Sequence, residues 1–129
     1  MAARDAGAAG ARRAAEGRGR RAEWMAAWFL RLKGYRVLAR RYRTPVGEID
    51  LIVRRGRLIA FVEVKARATP VEAVEAVTPA NRHRVGRAAA AWLAAHPVDG
   101  FDLRFDVVAL SPRRVPRHIP GAFDADGRA

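Results

Sequence analysis

The stretch "GEIDLIVRRGRLIAFVEVKAR", Gly47 to Arg67, constrains the fold more than any other part of the chain. Two apolar runs flank Arg-Arg-Gly-Arg, the pattern of a β-hairpin. Yet the runs also carry Glu48, Asp50, Glu63 and Lys65, where half-buried strands favour apolar or small polar residues. A two-residue turn centred on Arg55-Gly56 puts Asp50 opposite Phe61 and Glu48 opposite Glu63. Side chains alternate along a strand, so Glu48, Asp50, Phe61, Glu63 and Lys65 then share one face. Ile49, Leu51, Val62 and Val64 take the other face, into the core. A longer turn shifts this register.

The remaining elements follow from periodicity and punctuation. Residues 18–33 have helical spacing, with Ala22, Met25, Ala26, Phe29 and Leu32 on a stripe, Glu23 beside it and Gly34 as the stop. "YRVLARRYR", Tyr35 to Arg43, reads as a strand closed by Thr44-Pro45. Residues 68–77 are ambiguous, a loop with a helical turn. Thr78-Pro79 opens a second helix, the hydroxyl capping and proline at the first position. Val85, Ala88, Ala89, Trp92 and His96 line one side of that helix, and Pro97 closes it. "RFDVVAL", Arg104 to Leu110, is a strand, and "RHIPGAF" reads as a short edge element. The expected order is α-β-β-β-α-β. A strand that follows a long helix returns most easily in parallel, through a right-handed crossover. The expectation is an α/β domain, a small mixed β-sheet flanked by helices, over residues 18–123. Residues 1–17 are Ala/Arg/Gly-rich and are expected to be a disordered tail, and 124–129 a flexible one.

Composition narrows the partners. The 129 residues include 25 Lys+Arg against 13 Asp+Glu, a formal charge of +12. That balance attracts polyanions, nucleic acid first, although an Ala- and Arg-rich sequence bias produces the same excess. With no cysteine, disulfides and thiolate metal sites are excluded. No uninterrupted apolar run reaches the ~18 residues of a membrane helix, and the Arg-bearing start lacks the apolar segment of a secretory signal. The expectation is a cytoplasmic protein without membrane contact.

The acids of the hairpin carry the functional reading. Like charges on facing strands destabilise a sheet, so the patch needs solvent, basic neighbours or a bound cation. Hard cations such as Mg²⁺ are held by one or two carboxylates, several waters and substrate phosphates. Lys65 points the same way as Glu63 and is placed to orient or deprotonate an attacking water. A rigid hairpin of this kind suits a metal clamp.

"GEIDLI" followed by "FVEVKAR" resembles the core of the PD-(D/E)XK nuclease superfamily. More narrowly, "GRRAEWMAAWFLRLKGYRVL", "AVTPANRHRV" and "RFDVV" extend the resemblance to the YraN-like family, small bacterial proteins with a restriction endonuclease-like fold. The resemblance implies Asp50 as the acid of the first half-motif and Glu63 and Lys65 as the acid and lysine of the second. Glu23 matches an acid that many members place beside the metal, and Glu48 belongs to the signature as a further ligand or an outer partner. It further implies Mg²⁺ or Mn²⁺ held by Asp50, Glu63 and Glu48, and hydrolysis of DNA phosphodiesters, including branched intermediates. Two-fold substrates would call for a homodimer. Two positions depart from the family pattern. Ala80-Asn81-Arg82 stands where a lysine or glutamine is often found, and Ala22 where a glycine is.

Blander readings exist for each feature. A bare E-x-K is commonly a solvent-facing alternation; Asp50, Glu48 and the order of elements favour a site. Trp24, Trp28 and Trp92 could stack on bases, but on helices with Ala and Leu neighbours they read as core or a partner interface. His83 and His96 read as solvated or capping residues. Arg40, Arg41, Arg43, Arg67, Arg82 and Arg84 are candidate phosphate contacts. The alternatives to a nuclease are a catalytically silent basic nucleic-acid-binding module and a protein-interaction domain.

Overall fold

The computed structural model describes Gly10 and residues 19–124; the two expected tails lie outside the described residues, apart from Gly10 and Asp124. Helix α1 spans 19–32. It is followed by β1 (Arg36–Thr44), β2 (Gly47–Arg55), β3 (Leu58–Ala66), α2 (Pro70–Glu75), α3 (Pro79–Ala95), β4 (Asp102–Leu110) and β5 (Arg117–Phe123). The sheet has five strands in the order β1-β2-β3-β4-β5. Only β3 and β4 pair in parallel, from Leu58 opposite Asp102 to Ala66 opposite Leu110, joined over the sheet by α2 and α3. The protein is thus a mixed α/β domain with helices on both faces. Relative to the expected order it adds α2 in the ambiguous stretch and β5 from "RHIPGAF".

Local chemistry explains most boundaries. Thr69 and Thr78 accept hydrogen bonds from Glu72 N and Asn81 N, both at 3.2 Å, with Pro70 and Pro79 each opening a helix. The end of α1 returns Tyr35 N–H to the Leu30 carbonyl and Gly34 N–H to that of Arg31, satisfying its last carbonyls. Pro120 sits on the edge strand β5, where a missing N–H is tolerated.

Two apolar clusters divide the core. Ala26, Ala27 and Leu30 of α1 pack on Leu51, Val53, Ala60, Val62 and Val108. On the other face Val85, Ala88, Ala89 and Trp92 of α3 cover Ile49, Ile52, Ile59, Phe61 and Val107. The buried side of α3 is the expected one, except that His96 is exposed and caps the helix with its ring stacked on Trp92, 4.4 Å between centroids. The α1 stripe is a correction. The helix is rotated so that Glu23, Ala26, Ala27 and Leu30 face the sheet, while Met25 and Leu32 are exposed. Small alanines let the helix approach the sheet closely, which bulky Met and Leu at the same positions would prevent.

The hairpin register is a second correction. Arg55 lies opposite Leu58 and Leu51 opposite Val62, so the turn is centred on Gly56-Arg57, one residue later than expected. Gly56 takes φ +61°, the left-handed value a two-residue hairpin requires of its first central residue and one that Arg55 would adopt only under strain. Phe61 consequently faces Ile52 in the core beneath α3, not Asp50.

Ile49 also departs from strict alternation. It joins Ile52 beneath α3, whereas Leu51 and Val53 lie beneath α1. On β1, Ala39 and Tyr42 both pack towards α3, and Val37 towards α1. Both strands therefore change face at the positions bracketed by the pairs Arg40–Leu51 and Tyr42–Ile49, namely Arg41 and Asp50. Arg41 has φ +51°, an unfavourable backbone for a residue with a Cβ. Pairing of β1 with β2 nevertheless continues past this kink to Thr44 and Gly47, so the acidic end of β2 stays in the sheet with its faces exchanged.

Gly47 fixes how close α3 comes to this end. A Cβ there would lie 2.1 Å from the Arg84 carbonyl oxygen and 2.8 Å from its carbon. Backbone of α3 cannot yield as a side chain would. We expect Gly47→Ala to cost about 3 kcal/mol, the upper part of the range for overpacked sites, read as a lower denaturant midpoint at unchanged slope.

Candidate functional site

Beyond Leu51 and Val62, the last paired positions of β2 and β3, the Asp50 side chain enters the space between the strands. Its Oδ2 accepts a hydrogen bond from Val64 N–H at 2.8 Å. A side-chain carboxylate thus satisfies a backbone donor that a ladder carbonyl would otherwise take. Here a cleft of about 570 Å³ opens, lined by Glu48 and Asp50 of β2 and Glu63, Lys65 and Ala66 of β3. The N-terminal end of α1 adds Ala22 and Glu23; α3 adds Asn81, Arg84 and Val85. Five sequence-selected residues therefore meet: Glu23, Glu48, Asp50, Glu63 and Lys65. Asn81 supplies the polar contribution from α3 at the position where the family pattern was departed from. Ala22 stands at the cleft wall.

The members differ in environment. Glu63 is buried and Asp50 nearly so, whereas the Glu48 side chain is 56% exposed at the rim, 3.8 Å from Arg43. Glu23 is partly buried and meets Arg41 at 3.4 Å. Arg67 and Arg84 line the same cleft. Arg40 and Arg41 line a neighbouring groove. Arg82 is turned to the fold, its Nε donating to the Val77 carbonyl at 3.0 Å and its guanidinium over Phe123.

Burial raises the carboxyls. For Glu63 burial is the largest cause, the Asp50 charge adds to it, and together they push the group up to about 8 against the pull of Lys65 and the Asp50 N–H. Asp50 is raised by burial, against the Val64 N–H and the Lys65 ammonium. Glu23 is raised by burial and then by Asp50, with Arg41 opposing. The cleft therefore holds acids that resist charging together, with one ammonium close enough to act on the inner two. Hard oxygen donors in this state suit a divalent cation better than they suit one another. Among the described residues no three His, Cys, Asp or Glu side chains converge tightly enough to hold a metal by themselves. The donor set fits an ion held by two carboxylates with water and substrate oxygens completing it.

A second polar group escaped the sequence reading. Asp106 of β4 is fully buried. Its carboxylate accepts from Arg104 Nε and Nη2, each at 2.7 Å, from His118 Nε2 at 2.7 Å and from Gly121 N–H at 3.0 Å. Lys33, which only donates, sits 2.8 Å from His118 Nδ1, so the ring proton facing Asp106 is on Nε2. Arg104 also reaches the Tyr35 hydroxyl at 2.9 Å. Burial alone would raise Asp106, but His118, Arg104 and the Gly121 N–H hold it below the usual range. The group locks β5 to β4 and to the end of α1. An acid in the middle of "RFDVVAL" was the available signal, since a core strand carries a charge only with partners.

Fold and cleft together define a small mixed α/β protein with a carboxylate–lysine cleft flanked by arginines. The model of the uncharacterised protein family UPF0102 matches residues 22–110. The chain is 60% identical over 117 residues to a UPF0102 protein of Methylorubrum extorquens (strain PA1), covering 90% of this chain and 91% of that protein. It is 58% identical over 105 residues to a UPF0102 protein of Rhodopseudomonas palustris (strain BisB18), covering 81% and 78%. The chain belongs to the UPF0102 family, the YraN-like family. No helix of the described residues is long and apolar enough to cross a membrane.

Two outcomes follow from the charges. Glu63 has its folded value above the unfolded one, so its contribution to stability is complete below about pH 4.5 and lost as pH rises through about 8. In chelator, the melting temperature of the wild type should fall towards alkaline pH, and that of Glu63→Gln should fall less. Asp106 is shifted the other way, so its contribution is present above the ordinary aspartate value and lost as pH falls through the folded one. Asp106→Asn should lose roughly 3 kcal/mol at neutral pH and show a shallower acid-unfolding curve.

Proposed function

We propose that this protein is a metal-dependent nuclease of the PD-(D/E)XK superfamily with a restriction endonuclease-like fold, hydrolysing phosphodiester bonds of DNA. The observation that carries this reading is the meeting of Asp50, Glu63 and Lys65 in one cleft, with Glu23 reaching it from α1. The kinked hairpin and the Asp50–Val64 hydrogen bond hold the two inner acids on rigid elements, as positioned catalysis requires.

Asp50 and Glu63 would hold Mg²⁺ or Mn²⁺, and Glu48 stands at the rim as a further oxygen donor or an outer partner. Such an ion, when bound, polarises the phosphate and offsets the charge that develops on it. Lys65 donates a hydrogen bond to the attacking water and aligns its lone pair with the phosphorus. Glu23, partly buried beside Asp50, accepts from that water or from one bound nearby. Arg67 and Arg84 neutralise the flanking phosphates. The water oxygen bonds to phosphorus as one of its protons passes to Glu23, and the bond from phosphorus to the leaving sugar oxygen breaks. That oxygen takes a proton from solvent, and Glu23 returns its proton to solvent.

A second reading is supported by the pairing of Glu48 with Arg43 and of Glu23 with Arg41, which ties two of the acids to cations of the chain itself. It is a basic nucleic-acid-binding module in which the cleft does not turn over. Cleavage of plasmid and of branched DNA with Mg²⁺ or Mn²⁺ separates the two. Wild type should cut, and Asp50→Ala and Lys65→Ala should each lose at least about a hundredfold in rate, as for groups acting in the transition state. Equal rates in all three proteins remove the mechanism. Salt-sensitive binding with no cleavage under any divalent ion establishes the second reading.

A further inference from the structure

Beside the acidic cleft, and sharing Glu23 with it, runs a second groove of about 550 Å³ between α1 and β1. Its lining is Arg20, Arg21, Glu23 and Trp24 of α1 with Arg40 and Arg41 of β1. Trp24 is 55% exposed, although an indole is among the side chains that most gain from burial. It is braced from behind by Trp28, edge to face at 6.1 Å, and Trp28 is in turn covered by the Arg31 guanidinium at 5.3 Å. Trp24, with the half-exposed Trp28 behind it, thus sits among four guanidinium groups, and the lone acid of the lining is matched by Arg41.

The chemistry fits one kind of ligand. A nucleobase stacks on an indole whatever its sequence, and the phosphates on either side meet the arginines. A base inside a duplex has both faces covered by its neighbours and cannot stack on a side chain without leaving the helix. A protein surface would gain from Trp24 and Trp28 but would need three acids for the guanidinium groups that Glu23 does not match, those of Arg20, Arg21 and Arg40.

We propose that the groove between α1 and β1 binds single-stranded DNA, with an unpaired base on Trp24 and its phosphates on Arg20, Arg21 and Arg40. Binding in the groove is independent of catalysis. Its consequence for the substrate rests on the nuclease reading: because Glu23 is common to groove and cleft, the strand held on Trp24 leads into the acids. The cleaved bond then lies next to an unpaired segment, as in flaps, gaps and branched DNA.

The test is fluorescence anisotropy in chelator with a short labelled oligo-dT and with a blunt duplex of equal length. Wild type should bind the single strand more tightly than the duplex. Trp24→Ala, a change at an exposed position that should leave the melting temperature in place, should weaken single-strand binding about tenfold and duplex binding much less. Trp24→Phe should retain most of the affinity. Asp50→Ala should abolish cleavage yet keep Trp24-dependent binding, so loss of the nuclease reading and loss of the groove are separate results. Equal binding of strand and duplex overturns the proposal. So does unchanged affinity in Trp24→Ala, tighter binding of the RNA counterpart, or Trp24-dependent self-association without affinity for the strand.

Discussion

The hydrogen bond from Val64 N–H to the Asp50 carboxylate governs the rest of the molecule. β2 and β3 pair as an ordinary hairpin up to Leu51 and Val62, and beyond that point a side chain takes the place of the ladder. The strands part without leaving a buried donor unsatisfied, and a cleft forms inside what would otherwise be continuous sheet. Had the ladder continued, Asp50 and Glu63 would have faced each other across a closed pair with no room for a ligand.

That cleft concentrates a cost. Asp50 and Glu63 are removed from water and repel one another; each takes one backbone N–H, and among the described residues Lys65 is the cation that acts on both. Perturbed carboxyls of this kind cluster at functional sites and also occur in structural ion-pair networks. The neighbouring strain has the same address: Arg41 adopts a left-handed backbone where β1 kinks, and from there its guanidinium reaches Glu23. Gly47 allows the α3 backbone to close the far wall, which brings Asn81 and Arg84 to the acids.

The Asp106 group is a contrast in how charge is buried. Four donors converge on its carboxylate, so burial is more than offset and the acid stays ionised. It secures the edge strand and the end of α1, and with α1 the positions of Glu23 and Trp24. The inner acids of the cleft have far fewer donors. One buried carboxylate is satisfied by the protein; the others have fewer donors, and under the proposed reading a divalent ion would complete them.

Periodicity, caps and turn residues were enough to read α1, α3 and the strands β1 to β4 almost to their ends, because these depend on contacts within a few residues. The side of α1 that is buried was misread. A stripe of Met, Phe and Leu is the more hydrophobic one, but the helix seats on Ala26, Ala27 and Leu30, with Phe29 at the margin, and closeness of approach is a property of two surfaces. The turn centre moved by one residue, and each facing partner by two, for a local reason, glycine being needed one place earlier in the turn. By itself the sequence determined the order of elements and the acid–lysine pattern, since both are written as spacing along one chain. Which residues meet was left to tertiary structure: the kink at Arg41 and Asp50, the convergence of Glu23 and Asn81 on the hairpin, and the partners of Asp106 all come from segments far apart in sequence. Their distances are set by how helices seat on the sheet, and no local pattern encodes that.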